Sequence, residues 1–359
     1  MDPGAPLGPS TATATVRRGI VRAGLAALLF GASTPFAAQL ARETNAFTLA
    51  GLLYLGAALG VLPVVARRRP DLASVRRGAG RLATAVVLGG AVGPVLLALG
   101  LQHASAANAS LLLNLELAFT VLLAATVFRE HIGPRVALGA VLVAVASVVL
   151  AGPGATSDLR LGAALIAGAC LCWAVDNSVT AALDELAPAH ITLVKGLVAG
   201  AVNTTIGLSL ASPPSWGAVA GALLVGVLGY GVSITLWVAG ARDLGAARAQ
   251  VVFATAPFLG VVLAWTVFAE PVVPATALAL VVAAAGVALV ARSEHDHEHV
   301  HEPIVHDHEH RHDDGHHDHE HLPGQAPPGF RGRHQHPHTH ERLEHSHPHV
   351  PDLHHRHEH

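Results

Sequence analysis

Lys195 is the only lysine in the chain, and it lies inside a largely apolar stretch running from Ile191 to Ala211. Asp176, followed by Asn177, sits some fifteen residues into the run that opens at Leu161. An ionisable group inside a membrane span costs roughly 2.5 to 3.5 kcal/mol on insertion scales, so it takes a partner, a wet cavity and a role. The two runs are joined by Asp184 to Ala187, with Pro188 suited to a first helical position. Asp176 lies eight residues before that turn and Lys195 seven after Pro188. At 1.5 Å of rise per residue both fall roughly 10 to 12 Å from it, at one depth. The spacing therefore predicts a buried Asp176–Lys195 ion pair with Asn177 beside it. The pair either fixes two helices together or lines a cavity that responds to a solute or ion.

Glu116 is a second interior carboxylate, about eleven residues from either end of its run, with Asn114 two residues before it. At that depth it is a candidate proton carrier in an ion-coupled process, or a structural hydrogen-bond acceptor. Trp173 and Tyr230 are weaker candidates for the same cavity.

The end of the chain carries other chemistry. All but three of the 26 histidines (His103, His131 and His190) fall within 293–359. They alternate with acidic and other residues in blocks: His295, His297, His299 and His301; His306, His308, His310 and His312; His316, His317, His319 and His321; His334, His336, His338 and His340; His345, His347 and His349. Neutral imidazoles beside carboxylates suit Zn²⁺, Ni²⁺, Co²⁺ or Cu²⁺, with binding that weakens as pH falls through about 6.5. This segment has no apolar pattern from which to build a core and is expected to be a disordered, metal-binding cytoplasmic tail. Metal is required by nothing else in the sequence; as cargo it would meet the repulsion of Lys195 unless Asp176 and Glu116 outweigh it.

The elements that hold these residues are membrane helices. Hydrophobic residues make up 52% of the chain and charged residues only 13%, about half the charge of a soluble domain. Apolar segments near spanning length recur at 19–40, 46–66, 82–101, 105–128, 134–151, 161–183, 189–211, 217–240, 245–268 and 273–291. The expected fold is all-α and polytopic, with ten transmembrane helices. Fourteen basic residues flank the spans on one side, among them Arg67, Arg68, Arg69, Arg76 and Arg77, against Arg42 and Arg160 on the other. The positive-inside rule then puts both termini in the cytoplasm, with the protein in the inner membrane.

At a shift of 140 residues the chain repeats itself. Thr126-Val127-Phe128-Arg129-Glu130 returns as Thr266-Val267-Phe268-Ala269-Glu270, and Pro134 returns as Pro274. Five spans per unit is an odd number, so the second copy enters the membrane inverted, an architecture of secondary transporters with a site near the midplane between the halves. The domains are then 1–18, a disordered N-terminus; 19–151 and 161–292, the two five-helix repeats; and 293–359, the tail. Glu130 and Glu270 stand just before the next helix, where a carboxylate favours the helix N-terminus. Cys170 and Cys172, two apart on one helix, face different ways and are expected to be apolar fillers.

The two five-helix halves, the run from Ser105 to Glu116, and the Glu130/Pro134 and Glu270/Pro274 turns resemble the EamA-type drug/metabolite transporter superfamily over about residues 20 to 292. The resemblance implies a ten-helix permease, with substrates across the superfamily that include amino acids, nucleotide sugars, amines and drugs. Leu117 stands where such proteins commonly carry proline. Asp176-Asn177 with Lys195 is similar instead to a bacterial subgroup whose sixth helix reads Trp-Ala-x-Asp-Asn. The expected partners are the lipid bilayer, a small-molecule solute and protons as coupling ion, in a monomer or homodimer without nucleic acid. The alternatives are a divalent-metal transporter and a membrane-anchored metal buffer or sensor; the anchor does not explain the repeat. An enzyme is disfavoured by the lack of a zincin motif, a nucleophile–base pair or a phosphate loop. A cysteine substituted at Ser74 is expected to stay unlabelled by a membrane-impermeant maleimide in intact cells, and labelling there would overturn this orientation.

Overall fold

The computed structural model describes residues 9–67, 72–127, 132–152, 154–181, 183, 186–244, 249 and 252–291, and four backbone segments of the tail. Ten membrane helices follow in order. They are α1 (Pro9–Ala41), α2 (Ala46–Val65), α3 (Ala79–Leu101), α4 (Ala106–Thr126), α5 (Pro134–Ala151), α6 (Ser157–Ala181), α7 (Pro188–Leu210), α8 (Trp216–Ala241), α9 (Ala256–Thr266) and α10 (Pro274–Ala291). A short helix, Leu72–Arg77, precedes α3. Nine of the ten are long and apolar enough to cross a bilayer; α9 has eleven residues and is preceded by a turn at Ala254 and Thr255, and 245–248 and 250–251 lie outside the described residues. Pro153, the turn residues Asp184 and Glu185, and Glu130 also lie outside it.

Local chemistry sets the helix starts. The side chains of Asn45, Ser105 and Ser215 accept hydrogen bonds from the backbone N–H groups of Phe47, Asn108 and Ala218, which capping residues do at an N-terminus. Pro134, Pro188 and Pro274 open α5, α7 and α10, where the missing N–H costs nothing. Large apolar side chains such as Val148, Val281 and Leu224 stand exposed on the outer helix faces. Lipid, rather than water, is the solvent such a surface requires.

The packing is that of an inverted repeat. Helix α1 lies against α8 and α9, and its counterpart α6 lies against α3 and α4; α2 pairs with α7, and α5 with α10. These contacts are close because glycine lines them. A Cβ on Gly139 would stand 2.6 Å from the Gly286 carbonyl oxygen, and one on Gly286 would stand 2.7 Å from that of Gly139. Backbone thus meets backbone where α5 crosses α10.

The backbone is irregular at matching places in the two halves. Helix α3 opens into a π turn over Ala85–Val92, and α8 does so over Gly226–Val232. Helix α4 tightens where Asn114, Glu116 and Leu117 donate to residues three back, and the start of α9 tightens through the same pattern at Thr255 and Phe258.

In the tail four short segments are extended. β1 (His295–His301) pairs antiparallel with β4 (Leu343–His349), and β2 (Ile304–His310) with β3 (His334–His340). The alternating composition suits an extended backbone of period two. A two-stranded ladder without a covering layer is marginal in water. His312, His316, His317, His319 and His321 lie outside the described residues.

Gly139→Leu is expected to destabilise the protein by roughly 1 to 3 kcal/mol through overpacking. Gly24→Ala, where a Cβ meets nothing within 4 Å, should be neutral or mildly stabilising. Thermal unfolding of the two variants in detergent checks the contrast.

Candidate functional site

The irregular segments of α3 and α4 and the middles of α6 and α7 meet at one place. Lys195 Nζ on α7 donates to Asp176 Oδ2 on α6, and the two side chains keep only 14% and 3% of their surface. The helix rise brought both to one depth, and the expected ion pair forms. Asn177 is the next residue along α6, about 100° around the helix, and faces another way. Its amide does not reach the pair but donates to Glu116 Oε1 on α4 at 2.6 Å. Glu116 stands within electrostatic reach of both Asp176 and Lys195. Glu116 is half-buried and Asn177 exposed, so this edge of the cluster is accessible. The Asn177–Glu116 bond also crosses from the second repeat to the first.

The floor of the cluster is the π turn of α3. Gly89 packs directly on the Asp176 carboxylate, and any side chain at 89 would occupy that space. A π turn leaves backbone carbonyls without their usual partners, and here side chains from three helices supply them. Tyr54 Oη on α2 donates to Gly89 O at 2.5 Å, Trp173 Nε1 on α6 donates to the same oxygen at 3.1 Å, and Asn203 Nδ2 on α7 donates to Ala91 O at 3.2 Å. Trp173 is therefore buried at the site as a support. Asn114 is also buried, and its amide donates to Leu111 O at 3.1 Å within the tightened turn of α4. It shapes the helix that carries Glu116.

Tyr230, on the π turn of α8, stacks against Phe30 and Tyr54 with ring centroids 5.9 and 6.0 Å apart. The sequence placed it at the cavity without signalling the ring cluster around it. Cys170 is buried and Cys172 half-buried, both as free thiols. Among the described residues no three His, Cys, Asp or Glu side chains gather closely enough to hold a metal ion.

Glu270 departs from its expected role. Its two carboxylate oxygens accept from the backbone N–H groups of Ala106 and Ala107, at 2.8 and 2.9 Å. They cap α4 rather than the helix that follows Glu270. The preceding Ala269 has φ 51°, a left-handed conformation that costs an L-residue roughly 1 to 2 kcal/mol. Asn108 Oδ1 accepts from Thr276 Oγ1 at 2.8 Å beside it. The N-terminal end of α4 is thus tied to the second repeat at two points.

Replacing Lys195 by alanine is expected to cost about 3 to 5 kcal/mol, because it strands a buried carboxylate, and Asp176→Ala/Lys195→Ala together should recover most of the loss. Unfolding in detergent across this double-mutant cycle measures the coupling; additive effects would dissolve the pair as an energetic unit.

Comparison with known proteins agrees with this architecture. The model of the EamA-like transporter family matches residues 17–152 and again 160–292, one match per repeat. An uncharacterized transporter of Methanothermobacter thermautotrophicus is 30% identical over 190 residues, which cover 50% of this chain and 55% of that protein, so the chain spans about half the length of this curated relative. A crystal structure described only as that of a protein superposes with a TM-score of 0.54 at 18% identity, over 79% of this chain and 99% of the other, a likeness of fold. With both halves matched and the helices packed as inverted five-helix units, this multi-pass membrane chain belongs to the EamA-like transporter family.

Proposed function

We propose that this protein is a secondary permease that moves a small solute across the cell membrane by alternating access, with Glu116, Asn177, Asp176 and Lys195 on the solute path. The observation that carries the reading is the Asn177–Glu116 bond. It joins the two repeats at an accessible edge of the Asp176–Lys195 charge cluster, where both halves also have irregular helices. Interrupted helices at corresponding positions in two inverted halves mark the binding region of such carriers. Helix dipoles and an ionisable cluster at mid-depth supply what a moving charge needs, an environment that replaces its hydration.

Protons are the proposed coupling ion. Lys195 neutralises Asp176, whereas Glu116 is held by an amide, and its exchange of a proton for a solute contact links the two fluxes. Tyr54, Cys170, Asp176 and Lys195 are the other titratable groups around it. In this reading catalysis plays no part, and the histidine tail binds divalent metal in the cytoplasm without entering the transport step. The net charge of the tail, with 14 acidic against 5 basic residues, adds to its attraction for cations.

Purified protein in proteoliposomes, screened with amino acids and amines under an imposed pH gradient, tests the proposal. Wild-type vesicles should accumulate at least one solute in response to the gradient, and Glu116→Gln should abolish the dependence on pH or the flux itself. Truncation after Ser293 should leave flux within about twofold while removing any effect of added zinc or nickel, a factor worth under ~0.5 kcal/mol. A wild-type gradient response in Glu116→Gln would remove the proton from this carboxylate, and loss of all flux on truncation would make the tail part of the carrier.

A further inference from the structure

We propose that the solute is a monovalent organic cation with a ring-bearing or otherwise apolar body, an inference that rests on the cluster lying on the solute path. The first observation is the charge sum. Asp176 and Glu116 stand against Lys195 alone, so the described mid-depth cluster carries one formal negative charge in excess. Lys195 is already engaged by Asp176, which leaves no spare cation for an anionic solute. Asp176 Oδ1 is buried without a hydrogen-bond partner. Its lone pairs are free to accept, which suits a donor N–H.

The second observation is independent of the charges. In a chain with only two tyrosines and four tryptophans, both tyrosines and Trp237 gather with two phenylalanines in one run of ring contacts. Tyr54 meets Tyr230, Tyr230 meets Phe30 at 5.9 Å, Phe30 meets Phe253 at 5.3 Å, and Phe253 meets Trp237 at 6.3 Å. The rings come from α1, α2, α8 and the segment entering α9. Phe30, Tyr230, Trp237 and Phe253 all keep accessible surface.

The run ends on the charge cluster, because Tyr54 donates to Gly89 O beside Asp176 and lies within electrostatic reach of Asp176 and Glu116. Rings attract cations through their negative faces and accept apolar bodies through their area. A surface with excess negative charge at one end and aromatic faces along the rest fits an organic cation better than an anion, and better than a metal ion, which would leave the rings unused. At the far end, Trp237 Nε1 is buried without a partner, a donor for a hydroxyl or carbonyl of the solute body.

The test compares three probes that share one ring and differ in charge: phenethylammonium, 2-phenylethanol and phenylacetate. Binding to the full-length protein in detergent is read by tryptophan fluorescence and calorimetry. Phenethylammonium should bind saturably and at least about tenfold more tightly than either comparator, a step of ~1.4 kcal/mol. Glu116→Gln should lose about that factor, and Phe253→Leu should weaken the cation while Phe253→Tyr retains it, which separates ring electrons from apolar bulk. Equal or tighter binding of phenylacetate, or no saturable binding of the cation to folded wild-type protein, would overturn the inference. If proteoliposomes carry another solute class that phenethylammonium does not inhibit, the permease stands and the cation site falls. Saturable cation binding with these variant effects but no flux of any solute leaves the site and removes the permease.

Discussion

The ion pair between Asp176 and Lys195 is the constraint around which the neighbouring structure is arranged. Two charges taken out of water repay their desolvation only when they are well placed and hydrogen-bonded; here Asp176 Oδ2 takes the Lys195 ammonium, while Oδ1 is left without a hydrogen-bond partner. Gly89 lets the π turn of α3 come against the carboxylate, since even a methyl group at that position would fill the space Asp176 occupies. The widened turn then frees Gly89 O and Ala91 O, and Tyr54, Trp173 and Asn203 supply the missing donors. The ion pair thus occupies a place where a glycine contact and a widened turn leave room for it, closed around by polar side chains from α2, α6 and α7.

The repeat shows what is architecture and what is chemistry. In the second half, Gly229 in the π turn of α8 packs against Ser33 of α1 as Gly89 packs against Asp176. Ser33 donates to Phe30 O at 2.6 Å and carries no charge. Glu116 likewise has Ala256 at the matching place in α9. Both halves keep the glycine contact and the broken helix, while neither carboxylate has a charged counterpart in the other half. The backbone symmetry thus belongs to both repeats, whereas the interior charge is found only where α4 of the first repeat meets α6 and α7 of the second.

Much of this was legible in the sequence, for identifiable reasons. Span boundaries follow from hydropathy, and the depth of Asp176 and Lys195 follows from helix rise and a short turn, so their pairing was readable. The partner of Asn177 was not, because it depends on which neighbour α6 turns toward that face. Paired glycines such as Gly89-Gly90 suit close helix packing, but nothing in the residue types distinguishes a π turn from a regular one. The role of Glu270 was misread for a related reason. A carboxylate just before a helix suits that helix by local rules, whereas here a left-handed Ala269 precedes it and the carboxylate reaches a helix more than 160 residues away. In the tail, low apolar content argued for disorder, and the same alternation that spaces the histidines also fits the extended segments of β1 to β4.

Helix α4 is where these threads join. Its N-terminal end is held by Glu270 and by the Thr276–Asn108 bond, both from the second repeat, and its Glu116 is held by Asn177 of α6, also from the second repeat. Between those anchors the regular ladder gives way to shorter-range bonds at Asn114, Glu116 and Leu117, and Asn114 spends its amide on Leu111 O. A continuous α-helix transmits displacement along its length, whereas a tightened, locally re-bonded turn lets its two sides reorient at small cost. The N-terminal anchor therefore acts on Glu116 only through this tightened turn. If Glu116 binds a solute as proposed, a turn of this kind lets its carboxylate exchange Asn177 for another partner while the end of the helix stays docked.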